Sequence, residues 1–492
     1  MLCVVIKGTN FKEIFKQIDN LKNEQTLIEI RFDFVDDWDQ IAFEKLRKKF
    51  PNPMIFTLRT RAQGGEFAGS QVEYVKKIKA LAEIKPEYID IEYSAESSHW
   101  IEELHKAHSD IKILLSLHDF EKMPDLPLIY QEMQKNQADL YKFSVMPKSS
   151  AEALSLLHFM KINAPKVIAM GMGKYGEVTR VLSPVFGGAF VYCSTSKETQ
   201  TAPGQVTLTE LLNTYNYEYL SPQSNIYALI GDPTDRSISH LSHNTFLHHL
   251  ERSSVYVKFP VSIMEIPSFL SMAKTVGIKG ISVTMPLKED IIPFLDEIDP
   301  FAKKVGAINT IVFQGDRTIG YNTDAKGALD AIDSKISIKG KKMVFIGAGG
   351  AVKSVAAEAI SRGATVVILN RNQERAVSLA HSMGCNGGGL DQLPKAFETG
   401  YDILINATPD PMPIESQWII PGCVVMDFTT KPKYTTFLTQ AKKKNCILVH
   451  GYEMFVGQAV GQFRLWFGER VDESQAHQIL NKTVLDCLQI EH

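Results

Sequence analysis

The chain has 492 residues, 44% hydrophobic and 22% charged, with a net charge of −3 from 53 basic and 56 acidic side chains. At about 150 residues per domain this is roughly three domains of ordinary globular composition, and the balanced charge excludes a broad basic field for nucleic acid or an anionic membrane surface. No apolar run reaches the roughly 20 residues of a spanning helix, MLCVVIKGTN is too short for a secretory core, and six scattered cysteines without a CxxC pair predict a reducing, cytoplasmic setting with no zinc framework.

Strand-like apolar runs come first: VVIK (4–7), LIEIRFDF (27–34), MIFTLRT (54–60), YIDIEY (88–93), IKILLSLHDF (111–120), LYKFSVM (140–146), VIAMGM (167–172) and AFVYCS (189–194). Segments with helical spacing lie between them, such as QVEYVKKIKALAEI and AEALSLLHFMKI. Eight strands alternating with helices predict a parallel (β/α)8 barrel, whose site lies at the C-terminal strand ends. The polar residues to question there are Glu29, Arg31, Arg59, Asp90, Glu92, His118, Asp119, Lys142 and Arg180. Each alone has a bland reading: a structural histidine, or an arginine paired with a neighbouring carboxylate. Lys142, between Tyr141 and Phe143, is harder to dismiss, because a buried ammonium is costly unless paired or functional. Desolvation also lowers the pKa of an amine and frees it as a nucleophile. Lysine, histidine and arginines together suit Schiff-base chemistry on an anionic keto compound, with a plain scaffold barrel as the alternative.

IEIRFD (28–33), TLRTRAQGG (57–65), SLHDF (116–120), YKFSVMPKS (141–149), MGMGKYGEVTR (170–180) and TAPGQ (201–205) occur in the order found in type I 3-dehydroquinate dehydratase, which the first 210 or so residues resemble. The resemblance implies that Lys142 forms the Schiff base and that His118 is general base and then acid. It implies that Arg59 and Arg180 hold the substrate, with Glu29, Arg31, Thr201 and Gln205 as further contacts. Gln63 departs from the family's glutamate, and Thr201 replaces a serine while keeping the hydroxyl.

TYNYEYLSPQSN (214–225) lacks periodicity and reads as a short link. A second α/β pattern follows: the strand IYALIGD (226–232), the helix SHNTFLHHLERS (242–253), the strand GISVTMPLKEDI (280–291) running into a polar loop and helix, VGAINTIVF (305–313), and GYNTDAKGALDAI (320–332) with Asp324 heading a helix. KMVFIGAGGAVKSVAAEAI (342–360) is strand, glycine turn, helix, where Gly347, Gly349 and Gly350 allow close phosphate approach at a helix N-terminus. The next strand, TVVILN (365–370), ends in Asn370-Arg371-Asn372, with a cation where an NAD site has a carboxylate, which suits the extra phosphate of NADP. YDILINAT (401–408), CVVMDF (423–428) and CILVHG (446–451) complete a Rossmann-like sheet. His240, His243, His248 and His249 mimic metal-ligand spacing, but no cysteine or ordered carboxylate completes a set, so no metal is expected.

SISH (237–240), SVTMPLK (282–288), GAINT (306–310), GYNTD (320–324), GAGGA (347–351), NRN (370–372), INAT (405–408) and GYEMFVGQA (451–459) resemble shikimate dehydrogenase. The resemblance implies Lys288 and Asp324 as the catalytic pair reducing 3-dehydroshikimate with NADPH. It implies Ser237, Ser239, Thr284, Asn309 and Gln458 around the substrate, and Gly347, Ala348, Gly349, Gly350, Ala351, Asn370, Arg371, Asn372 and Thr408 around the cofactor. Arg236, His240 and Thr430 depart from the family pattern. The order of the halves resembles bifunctional dehydratase–dehydrogenases of the shikimate pathway. The expected division is a barrel over 1–213, a link over 214–225, a substrate lobe over 226–333, an NADP lobe over 334–450, and C-terminal helices over 451–492 returning to the substrate lobe. A quinate-type dehydrogenase in the second half and a non-catalytic quinate or shikimate sensor stay open as alternatives. Oligomeric state leaves no mark in the sequence.

Overall fold

A computed structural model describes residues 1–21, 26–36, 38, 40–94, 97–235, 237–250 and 253–489. The chain divides into two compact units. Met1–Asn225 belongs to one and Gly277–His492 to the other, with the residues between 226 and 276 split between them. Among the described residues, no helix is long and apolar enough to cross a membrane.

All eight expected strands of the first part form: β1 (Leu2–Ile6), β2 (Leu27–Arg31), β3 (Met54–Thr57), β4 (Tyr88–Glu92), β5 (Lys112–Asp119), β6 (Leu140–Val145), β7 (Val167–Gly171) and β8 (Val191–Cys193). They pair in parallel in the order β7-β6-β5-β4-β3-β2-β1-β8, a nearly closed barrel with β7 and β8 at its two ends. Period-two alternation packs Cys3, Val5, Leu27, Ile55, Leu114 and Ile168 together. Several of the intervening helices begin on side-chain caps. Ser70 and Glu73 close a reciprocal capping box, and Ser149 accepts from the Glu152 N–H. The stretch 214–225 counts with this unit and buries Tyr215, Tyr217 and Leu220.

The next strands are β9 (Ile226–Gly231), β10 (Val255–Pro260), β11 (Gly280–Val283), β12 (Glu297–Ile298), β13 (Thr310–Gln314) and β14 (Arg317–Tyr321). They form a mixed sheet in the order β10-β9-β11-β13-β14-β12, in which β11 runs parallel to β9 and antiparallel to β13. The polar segment after β11 is a turn ending in the short 3-10 helix Ile292–Phe294, where the sequence predicts a full helix, and Lys288 sits on the turn. Pro286 and Pro293 explain this, since neither supplies the N–H a continuing helix needs.

The last sheet is β15 (Lys342–Ile346), β16 (Thr365–Asn370), β17 (Asn386–Gly389), β18 (Ile403–Asn406), β19 (Val424–Asp427) and β20 (Ile447–Val449), all parallel, in the order β17-β16-β15-β18-β19-β20. Two apolar clusters cover its faces. Strand order reverses between β15 and β18, and a ligand crevice opens at the carboxyl ends of strands at such a point.

The helices Gly451–Phe467 and Asp324–Asp333 pack closely against each other. Their approach runs through Gly327 and Gly457: a Cβ on Gly327 would meet the Gln458 nitrogen at 2.5 Å and the Met454 carbonyl oxygen at 2.8 Å. Both obstacles are backbone, so the helices would have to separate. Gly327→Ala is expected to destabilise the second unit by about 1–3 kcal/mol, and because Asp324 starts one helix and Gln458 rides the other, dehydrogenase turnover falls with it. Thermal unfolding and kcat measured on the same variant check this.

Candidate active sites

One cavity at the mouth of the barrel gathers all the expected residues of the first half: Glu29, Arg31, Arg59, His118, Lys142, Arg180, Thr201 and Gln205. They come from β2, β5, β6, the segment after β3, the helix Glu177–Leu182 and the loop after β8. Lys142 is buried, and its ammonium lies 3.2 Å from Asp90 Oδ2, 3.4 Å from Glu29 Oε1 and 3.9 Å from the ring centre of Tyr192. Two carboxylates and an aromatic face thus offset the cost of burying the cation.

The three arginines differ in their engagement. Arg59 donates to Asp90 Oδ1 at 2.8 Å, to Glu92 Oε1 at 3.2 Å and to Ser116 Oγ at 2.9 Å. Arg31 forms a two-pronged pair with Asp33 at 2.8 and 2.7 Å. Arg180 is 2% exposed and, among the described residues, has no carboxylate within 4.0 Å. It donates to the carbonyls of Gly204 and Tyr192 at 3.2 and 3.4 Å and lies 3.3 Å from the Met170 sulfur. Burial pushes its pKa down to about 10. A buried guanidinium held by carbonyls and without a carboxylate partner is a site prepared for an anion. Asp90 would be raised by burial, but the charges of Arg59 and Lys142 outweigh that and hold it below the ordinary carboxylate range.

His118 is the penultimate residue of β5, and its Nδ1 and backbone N–H both face Gln63 Oε1, at 3.2 and 3.1 Å. Gly64 permits this contact. It adopts a left-handed φ of 77°, and a Cβ there would collide with the Phe120 ring at 2.2 Å. Burial, then the charges of Arg59, Lys142 and Arg31, drive the His118 pKa well below 6.5, so the imidazole is neutral at pH 7. Thr201 donates its backbone N–H to Gln205 Oε1 at 2.8 Å. Tyr192, which no motif singled out, lines the same cavity with a buried hydroxyl that has no hydrogen-bond partner among the described residues.

A second cavity gathers Ser237, Ser239, Thr284, Lys288, Asn309, Asp324 and Gln458, with Ala351 and Thr430 at its edge. Lys288 Nζ donates to Asp324 Oδ2 at 2.6 Å, and Asn309 Nδ2 donates to Asp324 Oδ1 at 2.9 Å. Asp324 is the first residue of its helix, where the dipole favours its charge. The Ser237 and Ser239 hydroxyls lie 2.8 Å apart. Beneath them is a buried relay that sequence reading missed. Gln462 Oε1 accepts from Ser282 at 3.0 Å and faces His243 Nε2 at 3.1 Å, while its amide donates to the Asn309 carbonyl at 3.1 Å. Gln462 lies one helical turn after Gln458, and that spacing was the available signal. His243 is fully buried, with its pKa pushed down to about 4 by burial, so it belongs to this relay. Among the described residues no three histidine, cysteine or acidic side chains converge as metal ligands. Thr430 stands at the cavity edge, Tyr434 is exposed, and Arg236 lies outside the described residues.

The glycine turn lies at the reversal point of the last sheet. Gly347 has φ 120°, and a Cβ on it would meet the Ala407 carbonyl oxygen at 3.1 Å and Thr408 Cγ2 at 3.2 Å. Buried Ala348 follows, and Gly349 caps the helix Gly350–Ser361 without a side-chain bond. Thr408 donates to Asn406 Oδ1 through its N–H at 3.0 Å and its hydroxyl at 2.8 Å. At the end of β16, Asn370 donates to the Asn372 carbonyl, Asn372 caps the helix Gln373–Met383, and Arg371 is exposed and, among the described residues, in no salt bridge. These features suit a dinucleotide whose ribose carries a phosphate: bare backbone amides, a helix N-terminus, a free guanidinium and no carboxylate.

Family models match in chain order: Type I 3-dehydroquinase over residues 2–222, Shikimate dehydrogenase substrate binding domain over 229–311, Shikimate / quinate 5-dehydrogenase over 330–422, and Shikimate 5'-dehydrogenase C-terminal domain over 451–480. The chain is similar to the shikimate biosynthesis protein AroDE of Chlamydia pneumoniae, 38% identical and covering 95% of each chain. It is similar also to the chloroplastic bifunctional 3-dehydroquinate dehydratase/shikimate dehydrogenase of Arabidopsis thaliana, 31% identical over 93% of this chain and 80% of that one. Among solved structures, a shikimate dehydrogenase in complex with NADP+ superposes with a TM-score of 0.51 at 32% identity, covering 55% of this chain and 98% of its own.

Proposed function

The chain belongs to the family of bifunctional 3-dehydroquinate dehydratase/shikimate dehydrogenases, and on that premise we propose that its two cavities perform successive steps on one carbon skeleton. The barrel is a lyase that dehydrates 3-dehydroquinate, and the second unit is an NADP-dependent oxidoreductase that reduces 3-dehydroshikimate to shikimate. The observation that carries this reading is the convergence of two sets of residues, distant in sequence, into one cavity each.

In the barrel, the amine of Lys142 attacks the substrate ketone and water leaves, forming an iminium that acidifies the adjacent C–H. Neutral His118 takes that proton and returns it to the departing hydroxyl, which leaves as water, and a further water hydrolyses the product iminium, freeing 3-dehydroshikimate and the Lys142 amine. Arg180, the guanidinium without a carboxylate, binds the substrate carboxylate. Arg59 holds Asp90 against the Schiff-base lysine while presenting one edge to the substrate, and Glu29, Arg31, Thr201 and Gln205 meet its hydroxyls. Because His118 is depressed, the acid limb of the dehydratase kcat/KM profile is expected below 6.5, the ordinary histidine value. Gln63→Glu places a carboxylate near Nδ1, favours the imidazolium and moves that limb upward. A pH–rate profile of both proteins checks the sign, and a limb that does not move removes Gln63 from the tuning of His118.

In the second site, Lys288 gives a proton to the substrate oxygen, held in line by Asp324, which Asn309 fixes in turn. Ser237, Ser239, Thr284 and Gln458 are donors and acceptors for hydroxyls and carboxylate. NADPH, when bound, supplies the hydride. Gly347, Ala348, Gly349, Gly350 and Ala351 would cradle its phosphates, with Thr408 beside the turn, and Asn370, Arg371 and Asn372 would take the ribose phosphate. Shikimate is expected to be oxidised with NADP far better than quinate, and a clear preference for quinate would overturn the assignment of this half. The domain division is proposed as read from the sequence, with the helices Gly451–Phe467 and Glu473–Gln489 supporting the substrate lobe. The six free cysteines support a reducing, cytoplasmic setting.

A further inference from the structure

We propose that Cys423 and Cys446 form an oxidant-sensitive dithiol site, which a hydroperoxide converts into a reversible disulfide across the starts of β19 and β20. Cys423 immediately precedes β19 and Cys446 immediately precedes β20. The strands are parallel with Val424 opposite Ile447, and the Ile447 N–H donates to the Cys423 carbonyl at 3.0 Å, so the cysteines stand side by side. Neighbouring strands lie about 4.8 Å apart, inside the Cα separation that a disulfide spans. Both side chains leave on the same side, with their sulfurs 3.9 Å apart. Closing that gap to the roughly 2.05 Å of an S–S bond asks for side-chain rotation and little strand movement.

The two thiols are unequal, as a reactive pair requires. Cys446 is partly exposed, while Cys423 is buried in the apolar cluster on that face of the sheet. The Cys446 sulfur lies beside that of Cys423 and 3.4 Å from the Ile420 carbonyl oxygen, and hydrogen bonding by Cys423, with the nearby Gly422 and Cys423 backbone amides, outweighs its partial burial and brings its pKa down to about 7. Cys423 is driven the other way, by its hydrogen bond to Cys446 and by burial. Cys446 is therefore the attacking sulfur and Cys423 the resolving one. By contrast, Cys3 and Cys193 are each fully buried, with thiols raised by burial, and a peroxide has no access to them.

The chemistry balances. The Cys446 thiolate attacks one peroxide oxygen, the O–O bond breaks, and hydroxide leaves and is protonated to water. Sulfur is oxidised to the sulfenic acid and the peroxide is reduced. The Cys423 sulfur then attacks the Cys446 sulfur. The S–S bond forms, the S–OH bond breaks, and hydroxide leaves with the Cys423 proton as the second water. A dithiol reductant reverses the step.

The test uses the full chain with hydrogen peroxide. The expected result is loss of two titratable thiols, a linked Cys423–Cys446 peptide in a non-reducing digest, and recovery of both thiols with dithiothreitol. Cys423→Ser is expected to leave a Cys446 sulfenic acid that dimedone captures, and Cys446→Ser to abolish both products. Both cysteines lie at the strand starts, away from the carboxyl ends that carry the cofactor turn, so unchanged shikimate oxidation shows that the variants are folded. Absence of the linked peptide in the wild-type chain, or the same thiol loss in Cys446→Ser, would overturn the proposal.

Discussion

Lys142→Ala is expected to abolish dehydration of 3-dehydroquinate while shikimate oxidation by the same protein continues. The expected loss is on the order of 10⁵-fold or more, the scale seen when a covalent nucleophile is removed. Among the described residues no other lysine lines that cavity, so no neighbouring amine there takes over. The substitution also has a structural cost, because Glu29 and Asp90 lose a buried counter-charge. Breaking a buried pair costs up to about 3–5 kcal/mol, and Arg59, which remains on Asp90, keeps the change towards the low end. Lys142→Arg separates the two effects: it keeps a cation between the carboxylates but cannot form an iminium, so it restores thermal stability and not turnover. Borohydride added during turnover gives an independent readout. It reduces the iminium to a stable amine, and the adduct should map to Lys142 in the wild-type chain.

Lys288→Ala gives the mirror image, with dehydration intact and the reduction of 3-dehydroshikimate lost by about 10²–10⁴-fold, the range of general acid–base catalysis. Among the described residues Lys288 is the only cation of this cavity that pairs with Asp324, at 2.6 Å, and it is the group placed to protonate the developing alkoxide. The loss should appear in kcat with little change in the KM for NADPH, because the glycine turn and Arg371 are separate from it in the chain. Steady-state kinetics in the two substrates checks that split.

The barrel was legible because each strand is a dense apolar run flanked by helix-spaced segments, and period alone separates the two. β17 was not. Its sequence, Asn386-Gly387-Gly388-Gly389, carries no β-branched or aromatic signal. The glycines are there because the strand lies tight against the helix Gln373–Met383, and a Cβ on Gly387 would stand 2.5 Å from the Ala376 carbonyl oxygen. The expected helix after β11 was likewise replaced by a turn, at the prolines. In the sites, Lys142, His118, Lys288 and Asp324 announced themselves through motifs. What the arginines do depended on the fold: Arg31, Arg59 and Arg180 look alike in sequence, but only the tertiary structure puts Asp33 on the first, Asp90 and Glu92 on the second, and no carboxylate on the third. The Gln462–His243 relay was hidden for the same reason, since it joins elements far apart in the chain.

The account stands most directly on NADPH oxidation by the full chain supplied with 3-dehydroquinate alone. Wild type should consume NADPH and release shikimate, Lys142→Ala should consume none and Lys288→Ala should be slower by about 10²–10⁴-fold, and an equimolar mixture of the two variants should recover turnover as free 3-dehydroshikimate passes from one to the other. NADPH consumption that survives Lys142→Ala would contradict the Schiff-base assignment, and a silent mixture of the two variants would contradict the claim that each carries one intact site.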